Sequence, residues 1–387
     1  MNSKDIFTLI ENYQTDLILL RRKIHANPEL SFQEFQTSAL IQKYLTDLGV
    51  NFQILASTGV VAHIGNPDHP CIALRADIDA LPILEETGLE CSSQNKGIMH
   101  ACGHDFHTSI LLICAAILKS QETQLKKYIK LIFQPAEEKI PGGASIMIKE
   151  AVLENPKPNA IFGLHIEPST STGQIAVNHG PILASADELY WTIKGKGCHA
   201  AQPHVGNDCV LAASHLVMHL NTLMTKFRNP LNPGVLSVTS IHGGSATNIF
   251  PDEVKLMGTL RAFNEDLRSK MHELIRENSK AICSLYGCDC DVEVAIGYPH
   301  LNNDRLQTEY VQKVASEILG ESNVLTFEPK MWAEDFAFYA KEIPACFFFL
   351  GVQPEDSELP PLHNARLSPD ENALKIGVAM MVGLCNY

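Results

Sequence analysis

Four short segments of the sequence gather metal-binding and acid–base side chains. The densest is His100-Ala101-Cys102-Gly103-His104-Asp105-Phe106-His107, where Cys102 and His104 stand two residues apart ahead of an apolar run. A thiolate and an imidazole at that spacing can reach one cation, and the mix of ligands suits zinc or a similar transition metal. The second segment is Gln134-Pro135-Ala136-Glu137-Glu138, which follows the apolar run Tyr128–Phe133. Two adjacent carboxylates can divide the labour: one holds a metal while the other takes a proton from water. The third and fourth are Gly163-Leu164-His165 and Leu362-His363-Asn364. Taken singly, each has an ordinary explanation, as a hydrogen-bonded core histidine or a solvated acidic turn. Taken together, Cys102, His104, Glu138, His165 and His363 are too many for one four-coordinate site. With one ligand shared, they match two ions held close together.

Those segments need a scaffold, and the hydrophobic periodicity supplies one. It predicts helices over Asp5–His25 and over Ser31–Gly49, the second capped by Ser31. Strands follow at Val60–Ile64 and Ile72–Arg75, then a helix over Phe106–Ser120 behind an Asp105 cap. A strand at Tyr128–Phe133, a helix at Gly143–Val152 and a strand at Ala160–His165 continue the alternation. Strands alternating with helices predict an α/β sheet, whose strand ends are the usual place for a ligand. Near residue 185 the order changes. Strand Leu189–Lys194, helix Asp208–Phe227, strands Gly234–Ile241 and Glu253–Arg261, helix Asp266–Tyr286 and strand Cys290–Ile296 make a βαββαβ, ferredoxin-like unit. Helix Thr308–Leu319, strand Ala345–Leu350 and helix Asp370–Leu384 then return to the first pattern. The expected organisation is a catalytic domain in two parts, 1–184 and 299–387, interrupted by a lid domain at 185–298.

Composition narrows the function classes. The 387 residues are 45% hydrophobic and 19% charged, the balance of a globular protein. No apolar run reaches the ~18 residues that cross a bilayer, so no membrane partner is expected. Thirty basic against 44 acidic residues leave a net charge of −14 with no basic cluster, which argues against a nucleic-acid partner. The 11 cysteines are odd in number and scattered through apolar runs. With an acidic N-terminal stretch that lacks an apolar core, they fit free thiols in a reducing cytoplasm.

The motifs resemble those of the aminoacylase/carboxypeptidase family of dinuclear metallopeptidases. The resemblance runs from Arg21-Arg22-Lys23-Ile24-His25-Ala26-Asn27-Pro28-Glu29-Leu30 through Leu74-Arg75-Ala76-Asp77-Ile78-Asp79-Ala80-Leu81-Pro82 and the four segments above. It is nearest to the branch of hippurate hydrolases, N-acyl-amino-acid amidohydrolases and indoleacetate-amino-acid hydrolases. It implies a zinc-peptidase-like catalytic domain with a mixed sheet and flanking helices, interrupted by the ferredoxin-like lid. It implies Cys102, His104, Glu138, His165 and His363 as ligands of two divalent ions per subunit, with Cys102 bridging. Manganese or zinc come first, then cobalt or nickel. Glu137 would be the general base, and Asp77 and Asp79 would orient the ligands. In the lid, the match at Gly195–His204 implies His199 as an oxyanion donor, while Asn248 and Arg261 would bind substrate. The implied activity is hydrolysis of a small N-acyl amino acid to a carboxylic acid and a free amino acid, with a carboxypeptidase or dipeptidase as the alternative. A homo-oligomer is left open. Cys198, Cys209, Ala333 and Ala345 depart from the family pattern, but none replaces a ligand or the base.

Overall fold

The computed structural model describes residues 3–386. In chain order the helices are α1 (Ser3–Glu11), α2 (Gln14–His25), α3 (Phe35–Asp47), α4 (His104–Ser120), α5 (Gly143–Lys149), α6 (Cys209–Phe227), α7 (Glu265–Ser284), α8 (Arg305–Leu319), α9 (Ala337–Glu342) and α10 (Ala373–Asn386). The strands are β1 (Phe52–Leu55), β2 (Gly59–Ile64), β3 (Cys71–Asp77), β4 (Tyr128–Gln134), β5 (Ile161–Ser171), β6 (Ile175–Val177), β7 (Gly180–Leu183), β8 (Asp187–Lys194), β9 (Cys198–His199), β10 (Gly234–His242), β11 (Ile249–Phe250), β12 (Glu253–Ala262), β13 (Asp289–Ile296), β14 (Leu301–Asn303), β15 (Val324–Thr326) and β16 (Ala345–Gln353). The chain divides into a larger unit of Met1–Gly180, Asn302–Glu328 and Asp335–Tyr387 and a smaller one of Pro181–Leu301 and Pro329–Glu334.

In the larger unit eight strands make one mixed sheet in the order β1-β2-β4-β3-β5-β16-β6-β15. Its centre, β4-β3-β5-β16, is parallel. These central strands are buried along nearly their whole length, apolar and polar residues alike, as parallel strands covered on both faces are. Helix α4 is buried along its length from His104 to Leu118. It packs on β3, α2 and α10, as a helix that is apolar all round must.

The periodicity misjudged three helix starts. Asp5–His25 is two helices, because the first ends in tight turns, Asn12 N to Leu9 O and Tyr13 N to Ile10 O. Ser31 does not cap α3, which begins at Phe35; its hydroxyl donates to Asp79 instead, at 2.6 Å. Asp105 does not cap α4 but lies inside its first turn, behind a left-handed Gly103.

The smaller unit has four antiparallel strands in the order β10-β12-β8-β13, backed by α6 and α7. This is the ferredoxin-like arrangement. Asp208 caps α6, accepting from Val210 N and Leu211 N. Trp191, Leu216, Leu220 and Ile275 lie in its core. The ribbon β9–β11 is an addition that the sequence pattern did not reveal.

Candidate metal centre

Three of the four segments singled out above leave the sheet or a helix end in the larger unit, and the fourth places His363 in a turn from which its imidazole reaches Cys102. Asp77 closes β3, Glu137 and Glu138 follow β4, and Cys102 and His104 precede and open α4. His165 lies on β5 two residues beyond Gly163, the last residue of β5 paired with β3. From there on, that edge of β5 is free for other partners. Two glycines allow the approach. At Gly103 (φ 82°) a Cβ would lie 2.3 Å from Ile166 Cδ1, and at Gly143 it would lie 1.8 Å from the Pro135 carbonyl oxygen. Neither position has room for a side chain.

Cys102 is the hub. Its Sγ lies 3.4 Å from His165 Nε2 and 3.3 Å from His363 Nε2. His363 Nε2 lies 3.2 Å from Glu138 Oε1, and His104 Nε2 lies 4.0 Å from the same oxygen. Among the described residues five trios have ligand atoms close enough to share an ion: Cys102, His104 and His165; Cys102, Glu138 and His363; His104, Glu137 and Glu138; Asp77, His104 and His107; and Glu137, Glu334 and Asp335. Cys102 belongs to the first two. His363 holds its place with a left-handed backbone (φ 63°) and an amide bonded to Ala101 O at 2.8 Å. A non-glycine residue in that region persists only where its surroundings enforce it.

The histidines are set to ligate through Nε2. His165 Nδ1 donates to Ile166 O at 2.7 Å, and His104 Nδ1 donates to Asp79 O at 2.9 Å. With Nδ1 carrying the proton, each Nε2 presents a lone pair to the cluster. His104 Nε2 and Glu138 Oε1 are buried yet have no hydrogen-bond partner. Buried polar atoms are seldom left unpaired, and a divalent cation would satisfy both at once. The donor set of one thiol, three imidazoles and one carboxylate fits such an ion.

The electrostatics agree. Burial, then the carboxylates of Glu138 and Glu137, push the Cys102 thiol well above its ordinary range. Burial opposes a charged His104, but Asp77 and Asp79 outweigh it and hold the imidazole up at about 10, so that a cation bound at Nε2 would take the place of a proton there. Burial and neighbouring His107 keep His165 well below its usual value, in the neutral form a metal requires. The centre is thus an anionic pocket that calls for positive charge.

A supporting shell fixes the ligands. Asp79 accepts from Glu137 N and Glu138 N, each at 3.1 Å, and its Oδ1 lies 3.2 Å from His104 Nδ1. Asp77 accepts from His107 Nδ1 at 2.6 Å, and His107 Nε2 accepts from Ile166 N at 3.0 Å. Ile166 is therefore held at both its N–H and its carbonyl, since its O already binds His165. Arg75, fully buried, donates to Asp77 at 2.6 Å and to Asp335 at 2.9 Å. Sequence reasoning proposed Asp77 and Asp79 but assigned no role to His107, Arg75 or Asp335. The i, i+3 spacing of His104 and His107 on α4 was the available signal for the first.

The lid residues lie in the smaller unit. His199, on β9, and Asn248, beside β11, are joined by the ladder between those strands, with Ala200 N donating to Asn248 O at 2.9 Å. His199 Nδ1 accepts from Ala201 N at 3.0 Å, which leaves its Nε2–H as an outward donor. Arg261 stands apart on β12, its guanidinium held by Thr259 Oγ1 and by Leu260 O.

Residues 73–387 match the model of peptidase family M20/M25/M40. The chain is 39% identical over 380 residues to the N-acetyl-L-cysteine deacetylase of Bacillus subtilis, covering 96% of this chain and 89% of that enzyme. It is 38% identical over 367 residues to thermostable carboxypeptidase 2 of Saccharolobus solfataricus, covering 93% and 92%. Among solved structures, the Bacillus subtilis YXEP protein, described as a dinuclear metal binding peptidase, superposes with a TM-score of 0.83 at 34% identity, covering 97% of this chain and 98% of that one.

Proposed function

The chain belongs to peptidase family M20/M25/M40, a family of hydrolases, and on that premise we propose that it is a dinuclear amidohydrolase of N-acyl amino acids. The observation that carries the reading is the position of Cys102, shared between two ligand trios beside an adjacent pair of buried and half-buried glutamates. Cys102, His104, Glu138, His165 and His363 would hold the two ions. Divalent ions there would act as Lewis acids on a carbonyl oxygen and acidify water. Glu137, in a trio with His104 and Glu138, takes the proton of the attacking water and returns it to the leaving nitrogen. Asp79 keeps Glu137 and Glu138 in register by holding both their amides. His199 offers its Nε2–H to the developing oxyanion. Asn248 and Arg261 bind the carboxylate of the amino-acid half, for which a guanidinium fork is suited.

The similarity to a deacetylase of an N-acetyl amino acid supports the acyl-amino-acid reading. The similarity to a carboxypeptidase supports a second one, cleavage of a C-terminal residue from a short peptide. Both substrates end in a free carboxylate; they differ in the group beyond the scissile carbonyl. Metal-loaded enzyme should be assayed on N-acetyl and N-benzoyl amino acids beside dipeptides of the same C-terminal residue. Higher kcat/KM on the acyl amino acids is expected. Faster turnover of the dipeptides would establish the peptidase reading instead.

A further inference from the structure

Glu34 is fully buried just ahead of α3, in the part of the chain that precedes the family match beginning at residue 73. Its Oε1 accepts two backbone amides, Phe32 N at 2.9 Å and Ala136 N at 2.9 Å, and its Oε2 accepts from Thr58 Oγ1 at 2.7 Å. Phe32 (φ 65°) and Ala136 (φ 51°) are both left-handed. That conformation is costly for a residue with a Cβ and persists only where its surroundings hold it. One carboxylate oxygen thus ties two strained turns together, about a hundred residues apart in sequence.

The second of those turns aims Glu137. Ala136 is gripped from both sides: its N–H by Glu34, and its carbonyl by Gly143 N at 2.9 Å. The next two amides, Glu137 N and Glu138 N, end on Asp79. Three successive N–H groups therefore end on two buried carboxylates. Ser31 Oγ, donating to Asp79 at 2.6 Å, links the Glu34 segment to the second of them.

We propose that Glu34 is a positioning residue for Glu137: it holds the left-handed turn at Ala136 from which Glu137 is directed at the reacting water. The proposal rests on the reading of Glu137 as the base. It assigns a role in the reaction to the segment around residues 31–37, whose other ties also run inward, the Glu29 side chain accepting from Thr37 N at 2.8 Å and the Glu29 carbonyl accepting from Ala80 N at 2.8 Å.

The test compares Glu34→Met, Glu34→Gln and Glu34→Asp with Glu137→Gln, measuring kcat, KM, bound metal and thermal stability for each at saturating metal. Methionine keeps the volume but leaves two buried amides without an acceptor. Glu34→Met should lose ~10- to 100-fold in kcat, the scale of a misplacement near 1 Å, with KM within about twofold and two metal equivalents retained. Glutamine can place its oxygen at Oε1 and turn its NH₂ to Thr58 Oγ1, which can accept; Glu34→Gln should keep at least about a third of wild-type kcat. Glu34→Asp, retracting the acceptor by about 1.5 Å, should fall between them. Wild-type kcat in folded Glu34→Met, with only its melting temperature lowered, would overturn the proposal. So would a Glu34→Gln as impaired as Glu34→Met. If Glu34→Met does not fold, Glu34→Asp decides, and wild-type kcat there overturns the proposal. Retained turnover in Glu137→Gln would overturn the base assignment and this proposal with it; a dead Glu137→Gln beside a fully active Glu34→Met would overturn this proposal alone.

Discussion

Asp79→Asn is the most informative single change in the larger unit. The two Asp79 oxygens receive Glu137 N, Glu138 N and Ser31 Oγ, and Oδ1 also faces His104 Nδ1. Asparagine keeps the shape but has one acceptor oxygen. If that oxygen sits at the Oδ1 position, the new NH₂ faces Glu138 N at what was a 3.1 Å hydrogen bond. If it sits at Oδ2, the NH₂ faces both Glu137 N and His104 Nδ1. Ser31 can reverse and accept, but a backbone N–H and an imidazole N–H cannot. Either orientation opposes at least one buried donor to another, at a cost of about 1–3 kcal/mol. The loss falls on His104 and Glu138, both proposed ligands, so it should appear as a ~10- to 100-fold weaker metal affinity, the usual effect of removing a ligand's orienting partner. Competition against a chromophoric chelator measures that affinity, and circular dichroism of the apo-protein checks the fold. Wild-type metal affinity and wild-type kcat in a folded Asp79→Asn would refute the argument that this carboxylate sets the geometry of the centre.

Three further expectations follow from the same geometry. Cys102→Ser removes the proposed shared ligand and substitutes a hydroxyl that does not ionise near neutral pH, so elemental analysis should find two equivalents in wild type and fewer than two in the variant. In the smaller unit, burial would raise the Asp187 carboxyl, but Arg268 and His272 outweigh it and hold it at about 2. A lowered pKa stabilises above the unfolded value near 4 and loses that contribution as pH falls toward 2, roughly 2 kcal/mol in all. Both tryptophans, Trp191 and Trp332, lie in that unit, so their fluorescence in urea between pH 6 and pH 2 should show the decline, and Asp187→Asn should flatten it. Wild type should prefer N-acyl amino acids over their amides by ~10- to 150-fold in kcat/KM, the range of a hydrogen bond to a charged group, and Arg261→Ala should erase most of that preference; an undiminished preference would move carboxylate recognition to another residue.

Local chemistry was legible in the sequence where it is local. The helix over Asp208–Phe227, the apolar runs of β3 and β4 and the βαββαβ order of the smaller unit all follow from spacing within a few residues. The candidate ligands were visible because each carries its own signal: a Cys-x-His, an adjacent glutamate pair, a histidine at a strand end. What holds them was not. Ser31 looked like a helix cap because a hydroxyl before an apolar stripe has the same pattern whether it caps or reaches Asp79, 48 residues away. Glu34 and Asp335 act across separations of 102 residues to Ala136 and 260 residues to Arg75, and no periodicity encodes such partners. The strand β5 also ran on beyond His165 to Ser171, because it pairs with β16 after leaving β3, a fact of the sheet rather than of the segment.

The central claim, that Glu137 drives hydrolysis beside a metal centre built around Cys102, is tested most directly by Glu137→Gln on an N-acetyl amino acid. The glutamine keeps the size and the backbone tie to Asp79 and removes only the carboxylate that takes the proton. With metal content measured on the same sample, variant and wild type should both hold two equivalents, and the variant should lose ~10²- to 10⁴-fold in kcat, the contribution of a general base. Turnover at the wild-type rate with both equivalents bound would contradict the account.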